Sequence, residues 1–217
     1  MKKLVISFIS ILLICGFSCS QDKDKTGGKE KTNHVGGPCE GCEAIFESPL
    51  AFENLTSTDT LPDYNEAGPK LIISGIVYKK DGITPAPDIV IYIYHTDQNG
   101  YYSGKGNATG WGKRHGYIRG WMKTNEKGEY KFYTLKPAPY PNANSPAHIH
   151  VTIKEPDKNE YYIDEYVFED DPLVDKNYRN MAQNRGGDGI ISLNKNEDGM
   201  LIGKRDITLG KNIPDYP

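Results

Sequence analysis

Cysteine is scarce in this 217-residue chain. Of the four present, Cys15 and Cys19 fall in or beside an N-terminal apolar run, which leaves Cys39 and Cys42 for the folded part. Two thiols cannot complete a structural zinc site, which takes four ligands. Their Cys-x-x-Cys spacing lies in a Gly/Pro-rich lead-in, "GGPCEGCEAIFE", without the strand-to-helix context of a redox motif, so a local disulfide is expected. Positive charge is not in excess either: 26 Lys and Arg stand against 29 Asp and Glu, a formal charge of −3. Binding to a polyanion relies on displacing its counterions, so nucleic acid is excluded as a partner. The apolar run over residues 4–14 is too short to span a bilayer comfortably. Placed after Lys2 and Lys3, it has the length and flanks of a signal-peptide core.

Gly16 and Ser18 around Phe17, just before Cys19, resemble the lipobox of bacterial lipoproteins, although Phe17 and Gly16 depart from the strict pattern. The resulting organisation is a signal peptide over 1–18, a lipid-anchored polar tether over 19–37 with its lipid on Cys19, and one domain over 38–217. The expected location is the bacterial cell envelope, at the outer membrane or cell surface. The tether "SQDKDKTGGKEKTNHVGG" is too polar to join a core, and the remaining length suffices for one domain with a sizeable core.

From Lys70 onward, runs rich in Ile, Val and Tyr ("KLIISGIVY", "DIVIYIYH", "AHIHVTIK", "YYIDEYVF") alternate with turn groups such as "KKDG", "DQNG" and "NEDG". There is no internal repeat. The pattern predicts an all-β fold, an antiparallel β-sandwich with long loops and little helix. "GYIRGWMKT" and "EYKFYTL" are expected to form a hairpin across residues 125–128, and "DPLVDKNYRNMAQNRGG" to hold a short helix or an irregular excursion.

Strand alternation gives "AHIHVTIK" a geometry. His148, His150 and Thr152 share one face, Ile149, Val151 and Ile153 the other. The apolar face anchors the strand, and the opposite face presents two imidazoles as neighbours able to share a metal ion. Shortly upstream, Pro139 and Pro141 stiffen the backbone around Tyr140. A phenolate is a hard anionic donor suited to Fe(III).

The stretch "GEYKFYTLKPAPYP…PAHIH" resembles the core signature of the intradiol ring-cleavage dioxygenases, relatives of protocatechuate and catechol dioxygenases. The resemblance implies a β-sandwich with ferric iron, Fe(3+), held by two tyrosines and two histidines, here Tyr102, Tyr140, His148 and His150, with Tyr101 as the alternative to Tyr102. It implies a small aromatic diol and O2 as substrates, ring cleavage between the two hydroxyl-bearing carbons, and a muconate-type diacid as product. Tyr102 would leave the metal and accept a substrate proton. Two departures touch specificity. Family members usually carry Arg immediately before the Pro-Ala-His-Ile-His run, where this chain has Ser145, and a common Gln is replaced by Glu165. Arg114 or Arg119, in "KRHGYIRG", could supply the missing charge as a catalytic residue.

Two rival readings remain at this point. A cupin would use His148, His150 and Glu155, but needs a further histidine downstream, and none follows His150. A tethered β-sandwich without catalysis would bind carbohydrate or protein through exposed tyrosines and through Trp111 and Trp121. His34, His95 and His115 need no site to explain them. Oligomeric state is not readable from the sequence.

Overall fold

The structure, a computed structural model, describes residues 34–217. The signal segment, Cys19 and the tether up to residue 33 lie outside the described residues. The strands in chain order are β1 (Thr58–Thr60), β2 (Lys70–Tyr78), β3 (Val90–His95), β4 (Arg119–Lys123), β5 (Glu129–Leu135) and β6 (His148–Lys154). They continue as β7 (Tyr161–Phe168), β8 (Ile190–Ile191), β9 (Asn194–Lys195), β10 (Leu201–Lys204) and β11 (Ile207–Thr208), with short helices α1 (Gly112–His115) and α2 (Lys176–Met181). The second helix falls inside the expected irregular excursion, capped by Asp175, whose carboxylate accepts from the Tyr178 N–H.

One sheet runs β1-β5-β2-β10-β9, with β11 also on β2; the other runs β4-β3-β6-β7-β8. The expectation of an antiparallel sandwich holds for the long ladders β2–β5, β3–β4, β3–β6 and β6–β7. It fails at the margins, where β1–β5, β10–β2, β11–β2 and β7–β8 are parallel, so both sheets are mixed. These strands are short and reach their partners through loops, and parallel pairing needs such connections.

The expected hairpin is also corrected. Residues 125–128 do make a tight turn, with the Gly128 N–H donating to the Asn125 carbonyl at 2.8 Å. But β4 pairs with β3 and β5 with β2, in different sheets. The seven-residue ladder from Lys70↔Leu135 to Ile76↔Glu129 outweighs what five-residue β4 could offer β5, so the turn carries the chain across the core.

Alternation fills the space between the sheets. Leu71, Ile73 and Val77 face Ile91, Ile93, Ile149, Val151 and Ile153, with Phe132 and Tyr166 between them, all buried. Each such side chain contributes about 1.5–3 kcal/mol by leaving water. A second, smaller cluster lies on the outer face of the other sheet: Val90, Tyr92 and Trp121 are covered by Ala44, Ile45 and Leu55 from the N-terminal segment. Cys39 and Cys42 are disulfide-bonded within this cover. The packed body begins earlier than residue 38: Val35 is fully buried, and the Gly36 N–H donates to the Pro214 carbonyl at 2.8 Å. Among the described residues no helix is long and apolar enough to cross a membrane.

Candidate metal centre

β6 decides the site. Its apolar side locks into the core, which obliges His148 and His150 to leave on the outer face, both partly exposed. The carbonyl of Pro146 accepts from His148 Nδ1–H at 2.8 Å, so Nε2 keeps its lone pair. Four atoms then converge. Tyr102 Oη lies 2.5 Å from Tyr140 Oη and 2.8 Å from His150 Nε2; Tyr140 Oη lies 3.1 Å from His148 Nε2, and the two Nε2 atoms are 3.2 Å apart.

The loops bringing the two phenols are interlocked. Asp97 organises the first: its Oδ1 accepts from the backbone N–H groups of Asn99 and Tyr101, its Oδ2 from the Ser103 hydroxyl. Gly100 takes φ +80° and leaves no room for a side chain, because the Pro139 carbonyl occupies it. The Thr96 hydroxyl donates to the Ala138 carbonyl at 2.6 Å. Of the neighbouring tyrosines, Tyr102 turns into the cluster, while Tyr101 is 55% exposed.

β7 contributes a device that the sequence conceals. Ile149 pairs with Tyr166 but Val151 with Ile163, so β7 fits two residues, Asp164 and Glu165, opposite His150 alone. This bulge re-aims the strand. Glu165 Oε1 comes to 3.6 Å from His150 Nδ1, beyond hydrogen-bond range. Arg205 Nη1 holds the bulge by donating to the Asp164 carbonyl at 2.7 Å. On the other side Tyr94 is sandwiched between rings, 3.8 Å from His115 and 4.4 Å from His150 by centroid. His115 Nδ1 meets the buried Tyr92 hydroxyl at 2.9 Å. Neither Tyr94 nor His115 carries a sequence signal: one is a strand tyrosine among several, the other a single histidine in a loop.

Burial dominates the electrostatics. It pushes the Tyr102 and Tyr140 phenols up and the His148 imidazole down, so burial favours the uncharged form of each of these three groups. Burial also pushes Glu165 up, but the adjoining His150 outweighs it and holds the carboxyl down at about 2.

The two arginines stand elsewhere. Arg114 Nη1 pairs with Glu40 at 2.5 Å, and its guanidinium lies over Trp111. Arg119 Nη1 pairs with Glu47 at 2.7 Å, lies over Trp121 and lines a separate cavity of about 670 Å³. Neither hydrogen-bonds to the four converging atoms. The rival readings lose their parts as well. Glu155 is buried, accepting from Tyr161 and Tyr216, and does not join the histidines as a cupin would need. Trp121 is buried, its Nε1–H donating to the Ile45 carbonyl, and Trp111 is partly buried against His115.

The profile of the family described as Dioxygenase matches residues 46–204. With the ring-cleavage signature in place, the chain belongs to the intradiol ring-cleavage dioxygenase family. Catechol 1,2-dioxygenase 1 of Acinetobacter lwoffii is 30% identical over 156 residues, covering 62% of this chain and 48% of that protein. The chain therefore spans about half the length of this relative. Two solved structures share the fold. The dioxygenase domain of a carbohydrate-binding fusion protein from Streptomyces sp. SirexAA-E has TM-score 0.51 and 19% identity, covering 70% of this chain and 88% of that one. 3-Chlorocatechol 1,2-dioxygenase from Rhodococcus opacus 1CP has TM-score 0.54 and 22% identity, covering 76% and 70%.

The residues fit a ferric ion. Two phenols with two imidazoles form a hard oxygen and nitrogen donor set, and phenols that burial keeps protonated need a strong cation to ionise them.

Proposed function

We propose that the protein cleaves a catechol-type ring with O2 between its two hydroxyl-bearing carbons, giving a muconate-type diacid, with Tyr102, Tyr140, His148 and His150 holding Fe(3+). The convergence of four donor atoms, joined in a ring by four contacts of 2.5–3.2 Å, carries this reading. When bound, ferric iron supplies Lewis acidity that renders a coordinated diol electron-rich toward O2.

The chain's own residues do the rest. Tyr140, pinned between prolines and against the Gly100 turn, and His148, fixed by the Pro146 carbonyl, act as permanent holders. Tyr102 makes the shorter contacts to both Tyr140 and His150, and serves as the base that takes a substrate proton at its Oη. His150 is oriented from two sides, by the Tyr94 ring against its face and by Glu165 at Nδ1. Residues 38–42 line a cavity of about 250 Å³ beside His150. The protein acts in the cell envelope, tethered through a lipid on Cys19; the signal-like run and the polar stretch support that reading.

Purified protein loaded with iron should carry about one ferric ion per chain and show a red to purple tyrosinate charge-transfer band. Catechol should be consumed with one O2, both oxygen atoms appearing in the diacid by mass spectrometry with labelled O2. Protein purified from iron-replete cells with zinc as its only metal would overturn the reading.

A further inference from the structure

The two metal-holding histidines are fixed differently. His148 Nδ1 is hydrogen-bonded to the Pro146 carbonyl at 2.8 Å, the usual way in which a ligating imidazole is oriented. His150 lacks such a bond, because Glu165 stops 3.6 Å from its Nδ1. Its orientation rests chiefly on its ring face. The Tyr94 ring lies 4.4 Å from it by centroid and 18° from parallel, set directly opposite in the β3–β6 ladder. Behind Tyr94 stands His115, 3.8 Å away and 3° from parallel, so three rings form one column on the outer face of the sheet. His115 is 6% exposed and is held from its other sides as well. Its Nδ1 meets the Tyr92 hydroxyl at 2.9 Å, and Trp111 packs against it at 5.1 Å between centroids. The Gly41 backbone bears on Nε2, where an added Cβ would lie at 2.8 Å. Gly41 belongs to the short loop that the Cys39–Cys42 disulfide closes, and Cys42 Sγ faces the Thr152 hydroxyl, two residues beyond His150 on β6, at 3.9 Å.

We infer that His115 is a positioning residue for His150, carrying the seat of the 39–42 loop through the Tyr94 ring to the imidazole that holds the metal. This rests on the metal-holding role of His150 proposed above. Rings packed at contact distance leave no slack between them, so a shift of the outermost ring has to be taken up by the next. A single ring pair is weak, and Tyr94 with one face unsupported would be free to tilt away from His150. With His115 behind it the tyrosine has one seat, and the His150 imidazole keeps the plane in which Nε2 points at the donor cluster. His115 hydrogen-bonds to none of the four donor atoms, and its route to them is the Tyr94 ring.

The test is a double-mutant cycle. His115→Ala is made in wild type, in Tyr94→Phe, which keeps the ring, and in Tyr94→Leu, which does not. Fe(3+) affinity is measured by competition with citrate, beside the visible band and the rhombicity of the ferric EPR signal. In wild type and in Tyr94→Phe, His115→Ala should lower iron affinity by about tenfold and shift both spectra. In Tyr94→Leu the same substitution should change affinity by less than about twofold, since the coupling has already been cut. An equal loss in every background would mean general destabilisation and overturn the inference, as would wild-type affinity and spectra in His115→Ala. If the His115 variants do not fold, Gly41→Ala and Gly37→Ala decide. Both glycines have left-handed φ, +86° and +67°, but an added Cβ presses on His115 Nε2 at Gly41 and meets nothing within 4 Å at Gly37. In metal-free protein the His150 ring resonances, assigned with His150→Gln, should move in Gly41→Ala and stay in place in Gly37→Ala. Equal shifts in the two, or none in either, would overturn the inference. Ferric wild type that cleaves no catechol would instead fell the ring-cleavage reading, while the resonances still decide whether His115 positions His150.

Discussion

The carbonyl of Pro139 occupies the space that a side chain on Gly100 would need: a Cβ there would lie 2.1 Å from that oxygen. Through this contact the loop delivering Tyr102 seats directly on the loop delivering Tyr140, and the distance between the phenols is set by backbone rather than by flexible side chains. Gly100→Ala should force the loops apart and also strain a residue at φ +80°. The expected result is a stability loss of about 1–3 kcal/mol in urea unfolding, with lowered iron retention. Unchanged unfolding and unchanged iron content would show that the loops are positioned by something else.

Tyr140 and Tyr102 should separate in their effects. Tyr140→Phe removes a permanent holder, and iron affinity should drop by at least about 10–100-fold together with much of the visible colour. Tyr102→Phe should keep substantial iron yet slow diol binding and turnover by about 100-fold, because a proton acceptor has gone. Iron analysis beside stopped-flow diol binding checks both; full turnover in Tyr102→Phe would remove Tyr102 from the reaction.

Buried histidines make the metal-free protein acid-sensitive. Burial pushes His95 down, and pushes His115 down to about 4. In the unfolded chain each titrates near the ordinary 6.5, so below that pH the unfolded state takes up protons that the folded state does not. Stability conferred by the neutral forms is complete above about 7 and declines as pH falls from 6.5 toward 4. Urea unfolding at pH 7 and pH 5 should differ by roughly 1 kcal/mol from His115, with His95 acting in the same direction. His115→Gln should flatten that slope; a slope identical to wild type would contradict the assignment.

Arg205 is expected to hold the bulge. Its Nη1 donates to the Asp164 carbonyl and its guanidinium lies over the Tyr166 ring. Arg205→Met leaves that carbonyl without its charged partner, and should cost about 1–3 kcal/mol in stability. Wild-type stability in Arg205→Met would mean that the bulge stands without Arg205.

Much of the site was legible because it is local. His148 and His150 follow from period-two alternation on one strand, and Tyr140 from its flanking prolines, so nearest neighbours in sequence carry the information. What was not legible is which residues register brings together, even for Glu165, which the family resemblance had singled out. Glu165 reaches His150 only because β7 carries an extra residue opposite it, and Tyr94 stacks there only because β3 pairs with β6 through Tyr94↔His150. No pattern within either segment encodes its partner.

Composition and periodicity by themselves determined that this chain is strand-rich, that it has no excess positive charge for a polyanion, and that two imidazoles leave one strand face together. Tertiary structure alone decided which strands share a sheet, which sent β4 and β5 apart despite their tight turn. It alone spent Arg114 and Arg119 on Glu40 and Glu47 rather than on the donor cluster. The physical reason is the same in each case. Alternation is fixed by the covalent geometry of a strand, whereas pairing and ion-pair choice depend on which long-range contacts bury the most surface and leave the fewest charges unmatched.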